Sequence, residues 1–235
     1  MSTNILVVDD EKEIADLVKL YLSNEGYTVT VIHSGKEALE SITVNQYDLA
    51  ILDIMLPDVN GFSICQKIRE NYNYPVIMLT AKVEDMDKIN GLTLGADDYI
   101  TKPFNPLEMV ARAKAQLRRY KRYNVNDSMD EVHLDHIKEY DFAGLTINSD
   151  TRKCTLYGKQ ISLTPIEFSI LWYLCENRGK VVSSEDLFEA VWGEKYIDNN
   201  NTVMAHIRRL REKMNEPSRN PKFIKTVWGV GYTIE

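Results

Sequence analysis

Through the first 120 residues, short β-branched runs alternate with segments of helical period. The runs are Ile5–Val8, Thr28–Val31, Leu49–Leu52, Val76–Leu79 and Asp98–Ile100. Between them lie patterns such as Ile14, Leu17, Val18 and Tyr21, then Val110, Ala113, Lys114 and Leu117. Parallel strands need long crossovers, and a helix supplies one while covering a sheet face. This alternation therefore predicts an α/β first domain over residues 1–120, a doubly wound parallel sheet of five strands with five helices.

A chain of 235 residues exceeds one domain at roughly 150 residues each. Residues 121–140 lose the periodicity and collect Asn124, Asn126, Asp127, Ser128, Asp130 and Asp135, as a solvated linker does. A second domain, 141–235, follows: strand-like pieces at Leu145–Ile147, Lys153–Leu156 and Gln160–Ser162, three helical patterns, and a hairpin over Phe223–Ile234 turning near Gly229 and Gly231. Hydrophobic residues at 44% and charged residues at 27% exclude wholesale disorder. No apolar run nears the roughly 20 residues of a membrane span, and the opening residues lack a signal-peptide pattern. Cys65, Cys154 and Cys175 lack the spacing of zinc ligands or of a disulfide scaffold, so a reduced, cytoplasmic setting is expected.

The net charge of −7 is unevenly spread. Residues 1–120 hold 12 Lys and Arg against 18 Asp and Glu, whereas 141–235 hold 13 against 12. Within the second domain, Arg208, Arg209, Arg211, Lys213, Arg219, Lys222 and Lys225 face only Glu212 and Glu216 between Asn199 and Trp228, a local basic patch.

Open parallel sheets carry their chemistry at the carboxyl ends of the strands. Asp9 and Asp10 end the first strand, Asp53 the third and Thr80 the fourth, and Lys102 follows the fifth. Three converging carboxylates repel one another unless a hard cation lies between them, and Mg²⁺ with its octahedral oxygen shell suits that place. The cation and the Lys102 ammonium would neutralise an incoming phosphoryl group while a carboxylate attacks it, giving an aspartyl phosphate. Taken singly, Asp9 and Asp10 read equally well as helix caps and Asp53 as the start of a turn. With Thr80 and Lys102 they read as one site.

The stretches ILVVDDE (5–11), LAILDIMLPDVNGF (49–62), VIMLTAK (76–82) and GADDYITKPF (95–104) resemble response-regulator receiver domains, and the resemblance spans residues 3–119. It implies a flavodoxin-like fold, Asp53 as phosphoacceptor, and Mg²⁺ held by Asp9, Asp10, Asp53 and the Met55 backbone carbonyl. It also implies that Thr80 contacts the phosphoryl oxygens, that Lys102 pairs with the acyl phosphate, and that Tyr99 is the switch aromatic. A cis peptide before Pro103 is expected, since X-Pro bonds alone adopt cis cheaply. A homodimer formed on phosphorylation would use Leu94 and Ala111 for apolar contact and pair Lys88 with Glu108, Asp98 with Arg112, and Asp97 with Arg119. Met55 and Lys82, two residues after the acceptor and after Thr80, would orient hydrolytic water poorly, giving a long-lived phosphate.

The segment NNNTVMAHIRRLREKMN (199–215) offers an N-cap at Asn200 or Asn201 and an apolar stripe of Val203, Ile207, Leu210 and Met214. Opposite lie Thr202, Ala205, His206, Arg208, Arg209 and Lys213. Alone, this reads equally well as a solvated surface helix. A preceding helix at Ser184–Trp192 and the following glycine-bearing hairpin turn the reading to a winged helix-turn-helix with a recognition helix. LTPIEFSILWYLCENRGKVVS, LFEAVWG, NTVMAHIRRLREKM and IKTVWGVGY resemble effector domains of the OmpR/PhoB family.

That resemblance implies Thr202, Ala205, Arg208 and Arg209 against bases or phosphates, His206 on phosphate or in helix packing, and Lys225 and Thr226 on the DNA backbone. It implies promoter DNA with direct repeats, an RNA polymerase contact at residues 192–199, and a membrane sensor histidine kinase as phosphoryl donor. Where several relatives carry a wing arginine this chain has Trp228, which is expected to serve hairpin packing. A narrower resemblance, to regulators of glycopeptide-resistance genes, rests on SICQKIRE, DKINGLTLGADDYITKPFNPLEMVARAKAQLRRYKRY, LCENRGKVVSSEDLF and NPKFIKTVWGVGYTIE.

The expected function is a phosphorylation-controlled transcription regulator rather than an enzyme. A rival reading is an aspartate-nucleophile phosphohydrolase of the haloacid dehalogenase type. Such hydrolases place a second aspartate two residues after the nucleophile, and here Ile54 and Met55 follow Asp53. A regulator whose receiver is never phosphorylated is disfavoured because all five site residues are present.

Overall fold

The computed structural model describes residues 3–81, 95–124, 139–193, 202–217 and 220–235. The chain divides into two compact units, Met1–Tyr120 and Lys121–Glu235. The first has strands β1 (Asn4–Val8), β2 (Thr28–Ile32), β3 (Leu49–Asp53), β4 (Val76–Ala81) and β5 (Asp98–Lys102), all parallel in the order β2-β1-β3-β4-β5. Helices α1 (Lys12–Asn24), α2 (Gly35–Val44), α3 (Gly61–Asn71) and α4 (Pro106–Asn124) are described, and the helix expected between β4 and β5 falls outside the described residues.

Side-chain alternation sorts the strand residues onto two cores. Leu6, Val8, Ala50, Leu52, Val76 and Met78 pack with Ala38, Ile42, Ile64, Cys65 and Ile68 of α2 and α3. Ile5, Val7, Leu49, Ile51, Ile77 and Leu79 pack with Ala15, Val18 and Leu22 of α1 and Met109, Val110, Ala113 and Leu117 of α4. Burial on both faces explains why these strands read as continuous apolar runs. The end of α4 differs from expectation: no glycine or proline interrupts Arg118–Tyr123, and the helix runs into the segment read as linker, where it is described as far as Asn124. Most of that linker lies outside the described residues.

The second unit opens with antiparallel β6 (Glu139–Phe142), β7 (Leu145–Asn148), β8 (Cys154–Leu156) and β9 (Lys159–Gln160). Then come α5 (Pro165–Glu176), β10 (Val182–Ser183), α6 (Ser184–Trp192), α7 (Thr202–Lys213) and the hairpin β11 (Ile224–Val227)–β12 (Gly231–Ile234). The helix α5 is buried nearly all round and starts with a capping box: Thr164 Oγ1 accepts from Glu167 N, and Glu167 accepts from Thr164 N at 2.8 Å. Ser183 caps α6, and Gly193 ends it in the left-handed region.

The two-residue strand β10, absent from the sequence reading, pairs Val182 with Tyr232 and Ser183 with Gly231. A Cβ at Gly231 would sit 1.9 Å from Val182 O, so this pairing requires glycine. The three helices and both hairpin strands share one core that includes Phe168, Leu171, Trp192, Ile207, Leu210, Phe223 and Ile234.

Candidate functional site

Sheet register assembles the acidic site. Val8 pairs with Leu52, so the next residues, Asp9 and Asp53, emerge side by side; Asp53 pairs with Leu79, which sets Thr80 next along β4. Ala81 pairs with Lys102, bringing in the lysine from β5. Ligand oxygens of Asp9, Asp10 and Asp53 all lie within 4.8 Å of one another. Lys102 Nζ stands 2.8 Å from Asp53 Oδ2, 2.9 Å from Asp9 Oδ2 and 3.1 Å from Glu11 Oε1. Asp9, Asp53 and Thr80 are buried, and Asp10 is exposed.

The turn after β3 shapes the rim. Gly61 opens α3 so close to the end of β3 that a Cβ there would lie 2.0 Å from Asp53 O. Met55 N donates to Asp53 Oδ1 at 3.2 Å, while the Met55 side chain is 68% exposed. The peptide between Lys102 and Pro103 is cis. Tyr99 is half-buried against the α2–α3 core. The helix-cap alternative fails for α1, whose N-cap is Glu11 with no side-chain cap bond; Asp9 Oδ1 instead accepts from Glu11 N at 3.0 Å.

Electrostatics fit a cation site. Burial holds the Asp9 carboxyl above its ordinary range, against the opposing pull of Lys102. Burial alone would lower the Lys102 ammonium, but Asp53 and Asp9 more than offset it and hold it above the ordinary lysine value. Asp9 Oδ2 is buried and has the ammonium nearby without an aligned hydrogen bond, so the cluster retains acceptor capacity that a hard cation would take up.

The expected dimer residues are placed differently. Asp97 is not a surface group: it is buried, 2.6 Å from Arg69 Nη2 of its own chain, and accepts from Val76 N at 2.8 Å. It therefore anchors the start of β4, and its expected pairing with Arg119 of a second copy is corrected. Arg112 reaches Asp98 at 3.1 Å and Glu108 at 3.0 Å within one chain. Ala111 is exposed and Arg119 half-buried, whereas Lys88 and Leu94 lie outside the described residues, as does Lys82.

The recognition helix also needs correction. Thr202, Ala205, His206 and Arg209 are buried. The His206 ring lies 5.5 Å from that of Trp192. Arg209 Nη2 stands 3.1 Å from Glu167 Oε1, and Lys213 Nζ stands 2.6 Å from Glu167 Oε2. A helix face judged by charge was read as outward, yet the buried carboxylate at the start of α5 turns its cations inward. The exposed stripe of α7 is Met204, Arg208 and Glu212, with Arg211 beside it. Sequence reasoning missed Met204 because it is apolar; its i, i+4 spacing to Arg208 was the available signal.

Arg211 ties α7 to the hairpin, donating from Nη2 to Ile224 O at 2.7 Å and Thr226 Oγ1 at 2.8 Å. Lys225, half-buried, pairs with Glu235. Trp228 is 91% exposed, so its expected role in hairpin packing is corrected as well. A groove of about 850 Å³ runs between α7 and the hairpin, with Met204, Arg208, Arg211, Thr226, Trp228 and Val230 among its walls. The residues 194–201, which include most of the expected polymerase loop, lie outside the described residues.

Comparison with known proteins agrees with this architecture. Residues 5–114 match the response regulator receiver domain, and residues 158–234 match the C-terminal domain of transcriptional regulatory proteins. The chain is 61% identical over 235 residues to regulatory protein VanRc of Enterococcus gallinarum and 60% identical over 236 residues to regulatory protein VanR of Enterococcus faecium, covering 100% of each chain in both cases. Among solved structures it is similar to DrrB of Thermotoga maritima, an OmpR/PhoB homologue, with 36% identity and a TM-score of 0.52 across 100% of this chain and 99% of that one. No described helix is long and apolar enough to cross a membrane. A phosphoacceptor-type acidic site on one unit and a winged helix on the other, matched over the full length, place this chain in the OmpR/PhoB family of response regulators.

Proposed function

We propose that Asp53 is the phosphoacceptor of this regulator and that its phosphorylation controls promoter binding by the second unit. The observation carrying this reading is that Asp53 shares its pocket with two further carboxylates within 4.8 Å and with the Lys102 ammonium at 2.8 Å. A carboxylate oxygen of Asp53 forms a bond to phosphorus as the phosphorus–nitrogen bond of a phosphohistidine breaks, and the imidazole leaves with a proton. Lys102 neutralises charge on the incoming group, and the Thr80 hydroxyl offers a hydrogen bond to it. Asp9, Asp10, Asp53 and the Met55 carbonyl would hold Mg²⁺, which when bound shields the negative phosphoryl oxygens from the carboxylates.

The kinase partner is a sensor histidine kinase, VanS-like by the chain's kinship with VanR, and the regulated genes are those of glycopeptide resistance. The domains are 1–120 and 141–235, with α4 and β6 each reaching a few residues into the joining segment 121–140, and the protein works in the cytoplasm. The phosphorylated form dimerises through the β5–α4 face, where Glu108 and Ala111 are exposed beside the largely buried pair of Asp98 and Arg112, and it binds direct repeats and contacts RNA polymerase. On DNA, Arg208 is the leading phosphate or base contact because it is the exposed cation of α7.

Incubation with labelled acetyl phosphate and Mg²⁺ tests the assignment. Wild type takes up one phosphoryl group per chain and Asp53→Asn takes up none. Stoichiometric labelling of that variant overturns the assignment.

A further inference from the structure

The turn after β2 touches both loops that carry the expected cation ligands. β1 lies between β2 and β3 in the sheet, so a contact from the end of β2 to the loop after β3 passes across the end of β1. Two adjacent residues make it. His33 Nδ1 stands 2.8 Å from Asp9 O, and because a carbonyl only accepts, the ring N–H donates. Asp9 N donates to Ile32 O at 3.2 Å, so the N–H and the carbonyl of Asp9 are both held by the end of β2. Ser34 caps α2 and turns its hydroxyl to the Asp58 carboxylate, Oγ donating to Oδ2 at 2.8 Å.

Asp58 lies on the surface but is tied down. Besides the Ser34 hydroxyl, its oxygens accept from Gly35 N at 2.9 Å, Lys36 N at 3.0 Å and Val59 N at 2.9 Å. The Lys36 and Gly35 N–H groups, with the Ser34 hydroxyl, hold the carboxyl below the ordinary carboxylate range, so it is an anion throughout neutral pH. The seat is shaped for this close approach: a Cβ on Gly35 would lie 2.7 Å from Val59 Cβ and 2.9 Å from Val59 O. Three residues before Asp58 comes Met55, whose N–H donates to Asp53 Oδ1, and before that Ile54 is anchored by its N–H to Leu79 O at 3.1 Å. The loop is fixed at Ile54 and again at Asp58, with Met55 strung between them.

We propose that the turn His33–Lys36 braces the cation site, and that Asp58 is a positioning residue which makes the site select Mg²⁺ over larger divalent cations. The inference rests on the reading that Asp9, Asp10, Asp53 and the Met55 carbonyl hold Mg²⁺. A carboxylate finds its place by rotating side-chain bonds, whereas a backbone carbonyl goes only where its loop is held. Mg²⁺ demands near-ideal octahedral oxygens at about 2.0–2.1 Å, while Ca²⁺ accepts roughly six to eight at about 2.3–2.6 Å in looser arrangements. Slack of about 0.5 Å in the Met55 loop therefore penalises the smaller ion and spares the larger one.

The test is metal titration of the full-length unphosphorylated protein, followed by amide shifts in nuclear magnetic resonance spectra, with Mg²⁺ alone and with Ca²⁺ alone. Asp58→Ala is expected to weaken Mg²⁺ binding by about fivefold or more and Ca²⁺ binding by less than about twofold. Asp58→Asn, which keeps an acceptor oxygen without the charge, is expected to fall between wild type and Asp58→Ala. Gly35→Ala disturbs the same seat from α2, with every ligand and Asp58 intact, and is expected to shift the preference the same way. Because both changes break one contact, the double variant is expected to bind Mg²⁺ no worse than the weaker of the two single variants.

Equal loss of Mg²⁺ and Ca²⁺, or unchanged Mg²⁺ affinity in folded Asp58→Ala, overturns the proposal. Should Asp58→Ala fail to fold, Asp58→Asn and Gly35→Ala decide by the same two outcomes. Asp9→Asn separates this failure from that of the underlying reading. If it binds Mg²⁺ as wild type does, the cation site itself is misassigned; if it loses Mg²⁺ while the Asp58 and Gly35 variants are silent, only the brace fails.

Discussion

Glu167, buried at the start of α5, faces Arg209 of α7 at 3.1 Å and Lys213 one turn further on at 2.6 Å. Burial penalises the charged carboxylate, but Arg209, Lys213 and the Thr164 N–H outweigh it and hold the group down at about 2. Removing one side of a buried pair strands the other in a poorly solvated place. Glu167→Gln is therefore expected to cost the second unit about 3 kcal/mol, read as a fall in melting temperature. A change within the error of the melt would show that the pair contributes little.

The same carboxylate makes stability depend on pH with a definite sign. Its folded value of about 2 lies below the ordinary glutamate value of 4.5, so its contribution is complete above about pH 4.5 and is lost as pH falls towards 2. Denaturant midpoints of the wild type should fall through that window, and those of Glu167→Gln should fall less steeply. Parallel pH profiles would contradict the linkage.

The two neighbouring arginines of α7 should separate cleanly. Arg208 is exposed and, among the described residues, pairs with Glu212 on its own helix, an interaction worth little in water, whereas Arg209 faces the buried Glu167. Arg208→Ala is expected to flatten the salt slope of DNA binding by about one unit, and Arg209→Ala to lower stability without that change in slope. Equal slope changes for both would mean that Arg209 leaves Glu167 on binding.

Met55, whose backbone N donates to Asp53 Oδ1, is exposed, and its thioether offers no strong hydrogen bond to a hydrolytic water. Met55→Asn combined with Lys82→Glu is expected to shorten the lifetime of the aspartyl phosphate several-fold, followed as phosphoryl loss after the donor is removed. An unchanged decay rate would free both positions from any kinetic role.

The receiver sheet and the positions of its strand-end residues could be read in sequence because both rest on local patterns: β-branched runs buried on two faces, each ending on a polar group at a fixed register. Asp97 and Arg209 could not. Their partners, Arg69 and Glu167, are 28 and 42 residues away, and neither charge nor periodicity shows that a cation or carboxylate turns inward to meet a distant group. Trp228 misled in the other direction, since an aromatic following a β-branched run suggests packing, and only the turn at Gly229 shows it thrown outward. The strand β10 is two residues long and owes its existence to pairing with the chain terminus, which no local signal announces.

The central claim is that chemistry at Asp53 sets the affinity of α7 and its hairpin for promoter DNA. Fluorescence anisotropy on a promoter fragment, with and without acetyl phosphate and Mg²⁺, measures it directly in wild type and in Asp53→Asn. The account predicts tighter binding on phosphorylation for wild type and no response from the variant. Equal tightening of both proteins, or none in a wild type shown to be phosphorylated, would contradict it.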